Sequence, residues 1–261
     1  MQLPLYQIDA FTDQVFRGNP AAVCPLEHWL PDDFMQKIAM ENSVAETAFF
    51  VPITGGFEIR WFTPEIEMDL CGHATLASAH AIARHLRYPL SSIKFHSQSG
   101  VLTVSVEGDL LRLDFPSRKP QPSATTQVVL DDFPTAPVEV LKSRDYVLVY
   151  DDEEIIRCMQ PNQSTLNQIN LDPGGVIITA PGKEADFVSR FFTPQASIFE
   201  DPVTGSAHCS LIPYWSERLG KQSMLALQLS ARGGKLYCMN AGERVLISGK
   251  AVTYLEGMIT I

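Results

Sequence analysis

Two tetrapeptides in this chain have the make-up of a reactive helix start: Cys71-Gly72-His73-Ala74 and Thr204-Gly205-Ser206-Ala207. In each, the residues that follow are small or apolar, as at the beginning of a buried helix. The N–H groups and positive dipole end of such a start attract an anion, and glycine lets that anion approach the backbone closely. A carboxylate is the natural guest. A plainer reading is also open, in which Gly72 and Gly205-Ser206 only begin core helices.

The neighbouring side chains have chemistry to offer such a guest. His73 titrates near neutrality, which suits a proton carrier or a donor to substrate. Asp201, just ahead of the second start, reads either as a helix cap or as an acid holding a catalytic group by a hydrogen bond. Glu46 lies in NSVAETAFF among apolar residues. Burial there would raise its pKa into the range of a general base, whereas on an edge strand it would face solvent. Cys71 reads either as an inert buried thiol or as a thiol over a substrate carbon, its pKa lowered by the helix start. Cys209, one turn inside the second helix, reads as core, and His80 as a core or near-surface residue of the first.

The elements that must carry these groups occur twice. Arg60-Trp61-Phe62-Thr63-Pro64 returns as Arg190-Phe191-Phe192-Thr193-Pro194, and each copy is followed by a short acidic loop and one of the two helix starts. Four features in matching order point to a duplication. Both helices, GHATLASAHAIARHL and GSAHCSLIPYWSERL, are small or apolar round most of their circumference, as in helices enclosed by a sheet. Short alternating or apolar runs predict strands at Leu5 to Phe11, Phe57 to Phe62, Val101 to Glu107, Leu110 to Phe115, Val147 to Tyr150, Val176 to Ala180, Leu236 to Met239 and Val245 to Ile247. The passage PSRKPQPSATTQ after Phe115 reads as an interdomain linker. A twofold relation between two such domains would bring both helix starts to the cleft between them, where ligands commonly bind.

Composition narrows the function class. Thirty acidic residues against twenty basic ones, a formal net charge of −10, give no electrostatic support to nucleic-acid or anionic-membrane binding. Five cysteines without paired CxxC spacing argue against a disulfide framework and a structural zinc, and for a reducing, cytoplasmic setting. The N-terminus lacks the pattern of an export signal, and no run of about 18 apolar residues predicts a membrane span. The six histidines and the carboxylates form no recognisable ligand spacing, so no metal is expected. Nor is there a P-loop or GxGxxG fingerprint; Gly55-Gly56, Gly174-Gly175 and Gly233-Gly234 read as turns.

FTDQVFRGNPAAVCPL at 11 to 26, NSVAETAFF at 42 to 50, MDLCGHATLASAHAI at 68 to 82 and EDPVTGSAHCSL at 200 to 211 together resemble the PhzF-like isomerases. That family is named for a phenazine-biosynthesis enzyme and is related in fold to diaminopimelate epimerase and proline racemase. The resemblance runs from about residue 3 to the C-terminus. It implies an α+β fold of two pseudo-symmetric domains, each a β-barrel-like sheet wrapped around a central helix, with the active site in the cleft between them. The last strand, around Val252 to Ile259, would return to the first domain. The domains would comprise residues 1–116 with about 250–261, and about 117–249.

The phenazine enzyme moves a proton within a cyclohexadiene amino acid without metal or organic cofactor. By resemblance the general acid/base is Glu46, supported by His73 and Asp201, with Gly72, Gly205 and Ser206 binding substrate. No cofactor, a small carboxylate-bearing substrate and a possible homodimer are implied. Cys71 departs from that pattern: CGH matches the first thiol of the racemase branch, while Thr204 in place of a second thiol resembles its hydroxyproline dehydratases. A racemase, epimerase or dehydratase using Cys71 is therefore the alternative within the fold, and a non-catalytic carboxylate-binding protein the alternative outside enzymology.

Overall fold

In the computed structural model the chain is described over residues 1–88, 91–124, 133–168, 171, 174–194, 196 and 198–261. It divides into two units, Met1–Phe115 with Leu246–Ile261, and Pro116–Val245.

In the first unit, β1 (Gln2–Ala10) is flanked by β2 (Asn19–Pro25) and β18 (Ala251–Thr260), both antiparallel to it. Strand β2 runs parallel to β3 (Glu46–Ile53), and the crossover between them is helix α1 (Asp32–Asn42). Strand β3 turns through Gly55 into antiparallel β4 (Gly56–Phe62), which pairs with the short β5 (Glu67–Met68). Helix α2 (Gly72–Arg84) then crosses to β6 (Ser92–Ser97), which lies parallel to β4, and β7 (Gly100–Glu107) and β8 (Leu110–Pro116) follow antiparallel.

The sheet curls around α2, which packs on β1, β2, β3, β7 and β18. That enclosure requires a helix without bulk or charge. Residues 73–79, with Ala81 and Ile82, are buried all round it. Thr75 and Ser78 enter this core because their hydroxyls bond back to the carbonyls of Cys71 and Ala74, at 2.5 and 2.8 Å. Helix α1 covers the opposite face, where Met35, Ile38 and Ala39 meet Phe49, Val51 and Phe62. Strand β3 is thus buried on both faces, and period-2 alternation puts Glu46 on the side of Ala48, away from Phe49 and α1.

The second unit repeats the order. After β9 (Gln121–Pro122), which pairs with β10 (Glu139–Lys142), come β11 (Tyr146–Val149) and parallel β12 (Val176–Pro181), joined through α3 (Glu153–Cys158) and α4 (Gln163–Leu166). Then follow antiparallel β13 (Phe187–Phe192), the short β14 (Glu200–Asp201), helix α5 (Gly205–Leu219), β15 (Ser223–Gln228) parallel to β13, β16 (Gly234–Ala241) and β17 (Arg244–Gly249), of which Leu246 onward belongs to the first unit. The central helix is α5. Its Trp215 stacks on Phe187 with centroids 5.8 Å apart and donates to the Thr179 hydroxyl at 2.9 Å. Cys209 is buried within it, and His80 is half-buried on α2. Part of the linker expectation falls on residues 125–132, outside the described residues; upstream of them, Gln121–Pro122 forms a strand.

The repeated RWFTP and RFFTP segments have a physical reason. Arg60 forks onto Glu67 with two 2.7 Å bonds across β4 and β5, and Arg190 forks onto Glu200 at 2.7 and 2.9 Å across β13 and β14. Each guanidinium also lies over the aromatic ring two residues on, at 5.2 Å for Phe62 and 5.0 Å for Phe192. The following threonine turns the chain: the backbone N–H of Thr63 bonds Ile66 and that of Thr193 bonds Phe199, both at 2.8 Å. These clamps hold the two short acidic strands that lead into the helix starts.

Candidate active site

In the first unit the groups converge on His73. Cys71 is the N-cap of α2 with extended backbone; its thiol makes no formed cap hydrogen bond, although the Ala74 N–H acts on it, and the N–H groups of such a start have an affinity for an anion. His73 is 4% exposed and Cys71 6%. His73 Nε2 stands 3.1 Å from Glu46 Oε2, but neither atom makes an aligned hydrogen bond. On the other side of the ring, Nδ1 meets the Asn19 amide nitrogen at 3.1 Å and Cys71 Sγ at 3.6 Å. When the ring is neutral, an amide donating to Nδ1 leaves its proton on Nε2; the charged ring, protonated on both nitrogens, takes the amide oxygen at Nδ1 instead.

A strained loop sets Asn19 in place. Gly18 has φ +66, and a Cβ there would lie 2.2 Å from the Ala10 carbonyl oxygen. Phe11 and Phe16 also take positive φ, 62 and 68, a strain of roughly 1–3 kcal/mol each that tends to gather at functional sites. Phe16 is held by its N–H to Asp9 Oδ2 at 2.9 Å, and the fully buried Phe11 fills the space left by Gly249. Asn19, itself fully buried, opens β2 opposite Ala10.

Burial opposes the His73 imidazolium, but Cys71 and the Glu46 carboxylate more than offset it, so His73 titrates well above its ordinary value. The Cys71 thiol is pushed up, by burial first and by the Glu46 charge second, against the opposing effects of His73 and the Ala74 N–H. This corrects the expectation that the helix start lowers the thiol pKa: an enclosed thiol beside a carboxylate goes the other way. Glu46, Cys71 and His73 each offer a donor atom within 4.8 Å of the others. Sequence spacing missed this set because Glu46 comes from β3 and the other two from the start of α2.

The second unit has a different centre. Thr204 is the extended N-cap of α5, and its own side chain makes no cap hydrogen bond. Asp201 Oδ2 accepts the Thr204 hydroxyl at 2.5 Å. Gln228, from β15, receives the Thr204 N–H at 2.9 Å and donates to the Asp201 carbonyl at 2.8 Å. His208 Nδ1 bonds the Thr204 carbonyl at 2.8 Å, and burial drives its pKa down to about 4, so the ring is neutral at pH 7. Ser206 is half-buried one residue past Gly205.

Register shows what stands where Glu46 would be. Thr47 pairs with Phe62 in the first unit and Val176 with Phe192 in the second, so the counterpart of Glu46 is Gly175. A Cβ at Gly175 would lie 2.5 Å from the Phe192 carbonyl oxygen, which excludes any side chain without a backbone shift. An acid does sit beside it, but on the neighbouring strand side: Asp145 Oδ1 accepts the Gly175 N–H at 2.9 Å. Asn19 and Gln228 had no assigned role in the sequence reading. The Gly-Asn-Pro triplet was visible there, whereas nothing local marks Gln228.

The model of the phenazine biosynthesis-like protein family matches residues 8–257. A Pseudomonas aeruginosa protein named as an isomerase is 49% identical over 259 residues, covering 99% of each chain. A crystal structure of a phenazine biosynthesis protein PhzF family member from Enterococcus faecalis superposes with a TM-score of 0.96 at 44% identity, covering 100% of both chains. A probable proline racemase from Agrobacterium radiobacter K84 shares the fold alone, with a TM-score of 0.67 at 8% identity over 99% of this chain and 92% of the other. The chain belongs to the phenazine biosynthesis-like family and is an isomerase of the PhzF type, with the α+β architecture of the racemases and epimerases.

Proposed function

We propose that this isomerase moves a proton from one carbon to another of a small carboxylate-bearing carbon acid, using its own side chains and no cofactor. The observation that carries the reading is the buried Glu46–His73 contact of 3.1 Å beside an uncapped helix start. Glu46 takes the carbon-bound proton as a carboxylate and returns it to a second carbon as a carboxylic acid. The electron pair left behind delocalises onto the substrate carboxylate and through an adjacent C=C bond, which shifts by one position as the second carbon takes the proton, while the Gly72-His73 N–H groups and His73 Nε2–H stabilise the charge on the carboxylate. The reading further assigns Gly205 and Ser206 to binding the same substrate in the cleft between domains, and Asp201 to orienting it and relaying protons. That part rests on the family resemblance and on the uncapped start of α5.

A second reading is favoured by Cys71 Sγ lying 3.6 Å from His73 Nδ1: a racemase, epimerase or dehydratase in which the thiol is a base. A first argument against it is that Cys71 holds its proton more tightly than an ordinary thiol. A second is that the residue matching Cys71 at the other helix start is Thr204. The reading includes a cytoplasmic, thiol-reducing setting, supported by five free cysteines, and a homodimer, supported by resemblance alone. No helix among the described residues is long and apolar enough to cross a membrane.

The test is proton exchange in heavy water, followed by NMR over a panel of amino, hydroxy and cyclic dienoic acids. Exchange that disappears in Glu46→Gln and persists in Cys71→Ala is the expected pattern. Loss confined to Cys71→Ala would move the protein to the thiol branch, and no exchange with any acid would count against both.

A further inference from the structure

We propose that Glu46, Cys71 and His73 also form a binding site for a soft divalent cation, zinc above all, and that the cation shuts the isomerase off by occupying its acid/base groups. The inhibition rests on the function proposed above, whereas the binding stands without it. Thiolate, imidazole and carboxylate are the donors that zinc takes in proteins, three of them with a fourth position left for water. Here the three donor atoms already lie within 4.8 Å of one another.

The geometry is close to what coordination needs. Zinc bonds to nitrogen and oxygen near 2.0 Å place two such ligands about 3.3 Å apart on a tetrahedron. His73 Nε2 and Glu46 Oε2 stand 3.1 Å apart without an aligned hydrogen bond between them, so a cation entering there displaces no well-formed bond. Cys71 Sγ lies nearer the ring's other nitrogen, 3.6 Å from Nδ1, and must swing toward Nε2 to come within about 3.5 Å of it, a movement that cation binding has to drive. Asn19 meets the ring's other nitrogen at 3.1 Å. Turned to present its carbonyl, that amide accepts Nδ1–H and leaves Nε2 as the ligand, the outer-shell arrangement usual for metal-bound histidine.

Charge also favours the cation. A thiolate and a carboxylate together neutralise a divalent ion, so the enclosed site gains no net charge when it fills. The thiol proton, and that of His73 where present, leave to solvent on binding. A hard cation such as magnesium, which keeps its waters and prefers oxygen donors, has no comparable fit.

Cobalt(II) is the probe, added to reduced protein with Cys158→Ser to remove the exposed thiol. The expected result is one equivalent bound, with a near-ultraviolet sulfur-to-cobalt charge-transfer band and the intense visible bands of a tetrahedral ion. Zinc should displace the cobalt and magnesium should not. Cys71→Ala should abolish the charge-transfer band. Glu46→Gln should weaken the visible bands, and Asn19→Ala should lower affinity by about 10–100-fold. Circular dichroism checks that each variant is folded. No charge-transfer band in the starting protein, or a band that survives Cys71→Ala, overturns the site. Exchange activity is measured on the same samples: activity lost with cobalt and restored by a chelator supports the inhibition, and activity unchanged in the loaded protein refutes it. A cobalt band in a protein that exchanges no acid would leave the site standing and sink the isomerase mechanism.

Discussion

The starts of α2 and α5 are two versions of one device, and they differ in which groups were added to it. Both have an extended N-cap, a glycine at the first helical position and no side-chain cap. In both, a side chain four residues on bonds back to the N-cap carbonyl, Thr75 to Cys71 at 2.5 Å and His208 to Thr204 at 2.8 Å. Both follow an Arg–Glu fork. The first start then carries imidazole, thiol and carboxylate in contact, while the second carries a hydroxyl tied to Asp201 and Gln228, with Gly175 at the carboxylate position. The frame is held by backbone and ion-pair geometry that tolerates little change. The differing groups sit on it as single residues, so one copy holds an imidazole, a thiol and a carboxylate and the other a hydroxyl hydrogen-bonded to an acid.

The two forks give the largest stability contrast. The Arg190 side chain is 8% exposed and also donates to the carbonyls of Ile156 and Met159, whereas Arg60 is 22% exposed and shares itself with the exposed Asp32. Arg190→Ala should cost about 3–5 kcal/mol, because it strands a partly buried Glu200 and two carbonyls, and Arg60→Ala about 1 kcal/mol. Urea unfolding of the two variants measures the difference, and equal costs would undo this part of the comparison.

Acid should act next. His208 is held neutral with a pKa of about 4, against about 6.5 in an unfolded chain. Between those values the unfolded chain takes up a proton that the native chain refuses. Stability is therefore whole above pH about 6.5 and falls as pH drops toward 4, by about 3 kcal/mol at most for this group. His80 on α2, also lowered to about 4 by burial and by the nearby His85 and Arg84 charges, adds a change of the same sign in the first unit. Thermal unfolding between pH 7.5 and 4.5 should show the decline, and His208→Asn should flatten part of it.

A smaller effect is expected at Gly175. Gly175→Ala pushes a methyl against the Phe192 carbonyl and should cost about 1–3 kcal/mol. A neutral result would mean that the second unit is free to carry a side chain where Glu46 stands, which the register argument denies. Smallest should be Thr204→Val, which removes the hydroxyl from Asp201 at about 1–2 kcal/mol. Its exchange rate at saturating substrate should stay near that of the parent.

Much of this frame was legible in advance because its parts are local. An arginine, two aromatics and Thr-Pro recur where a fork and a turn are needed, and a glycine followed by small residues marks a helix that a sheet encloses. Helices α1, α3 and α4 and strands β2, β3, β6, β9, β10 and β15 do not follow from the sequence pattern: most are short, and β3 is buried on both faces without alternation. At the site, the residue types at Glu46, His73, Cys71 and Asp201 pointed to chemistry, but their partners did not follow from spacing. Asn19 reaches His73 across 54 positions and Gln228 reaches Thr204 across 24, contacts that only the closed sheet creates. Gly175 read as part of a turn, and its correspondence to Glu46 emerged only from strand register.

The measurement that bears most directly on the central claim sets the two units against each other in heavy-water exchange at saturating substrate. Glu46→Gln should slow exchange by about 10²–10⁴-fold, the usual contribution of a general acid/base, while Asp201→Asn, which alters an orienting and relaying group, should slow it less. Exchange undiminished in Glu46→Gln but lost in Asp201→Asn would contradict the account and place the chemistry in the second unit.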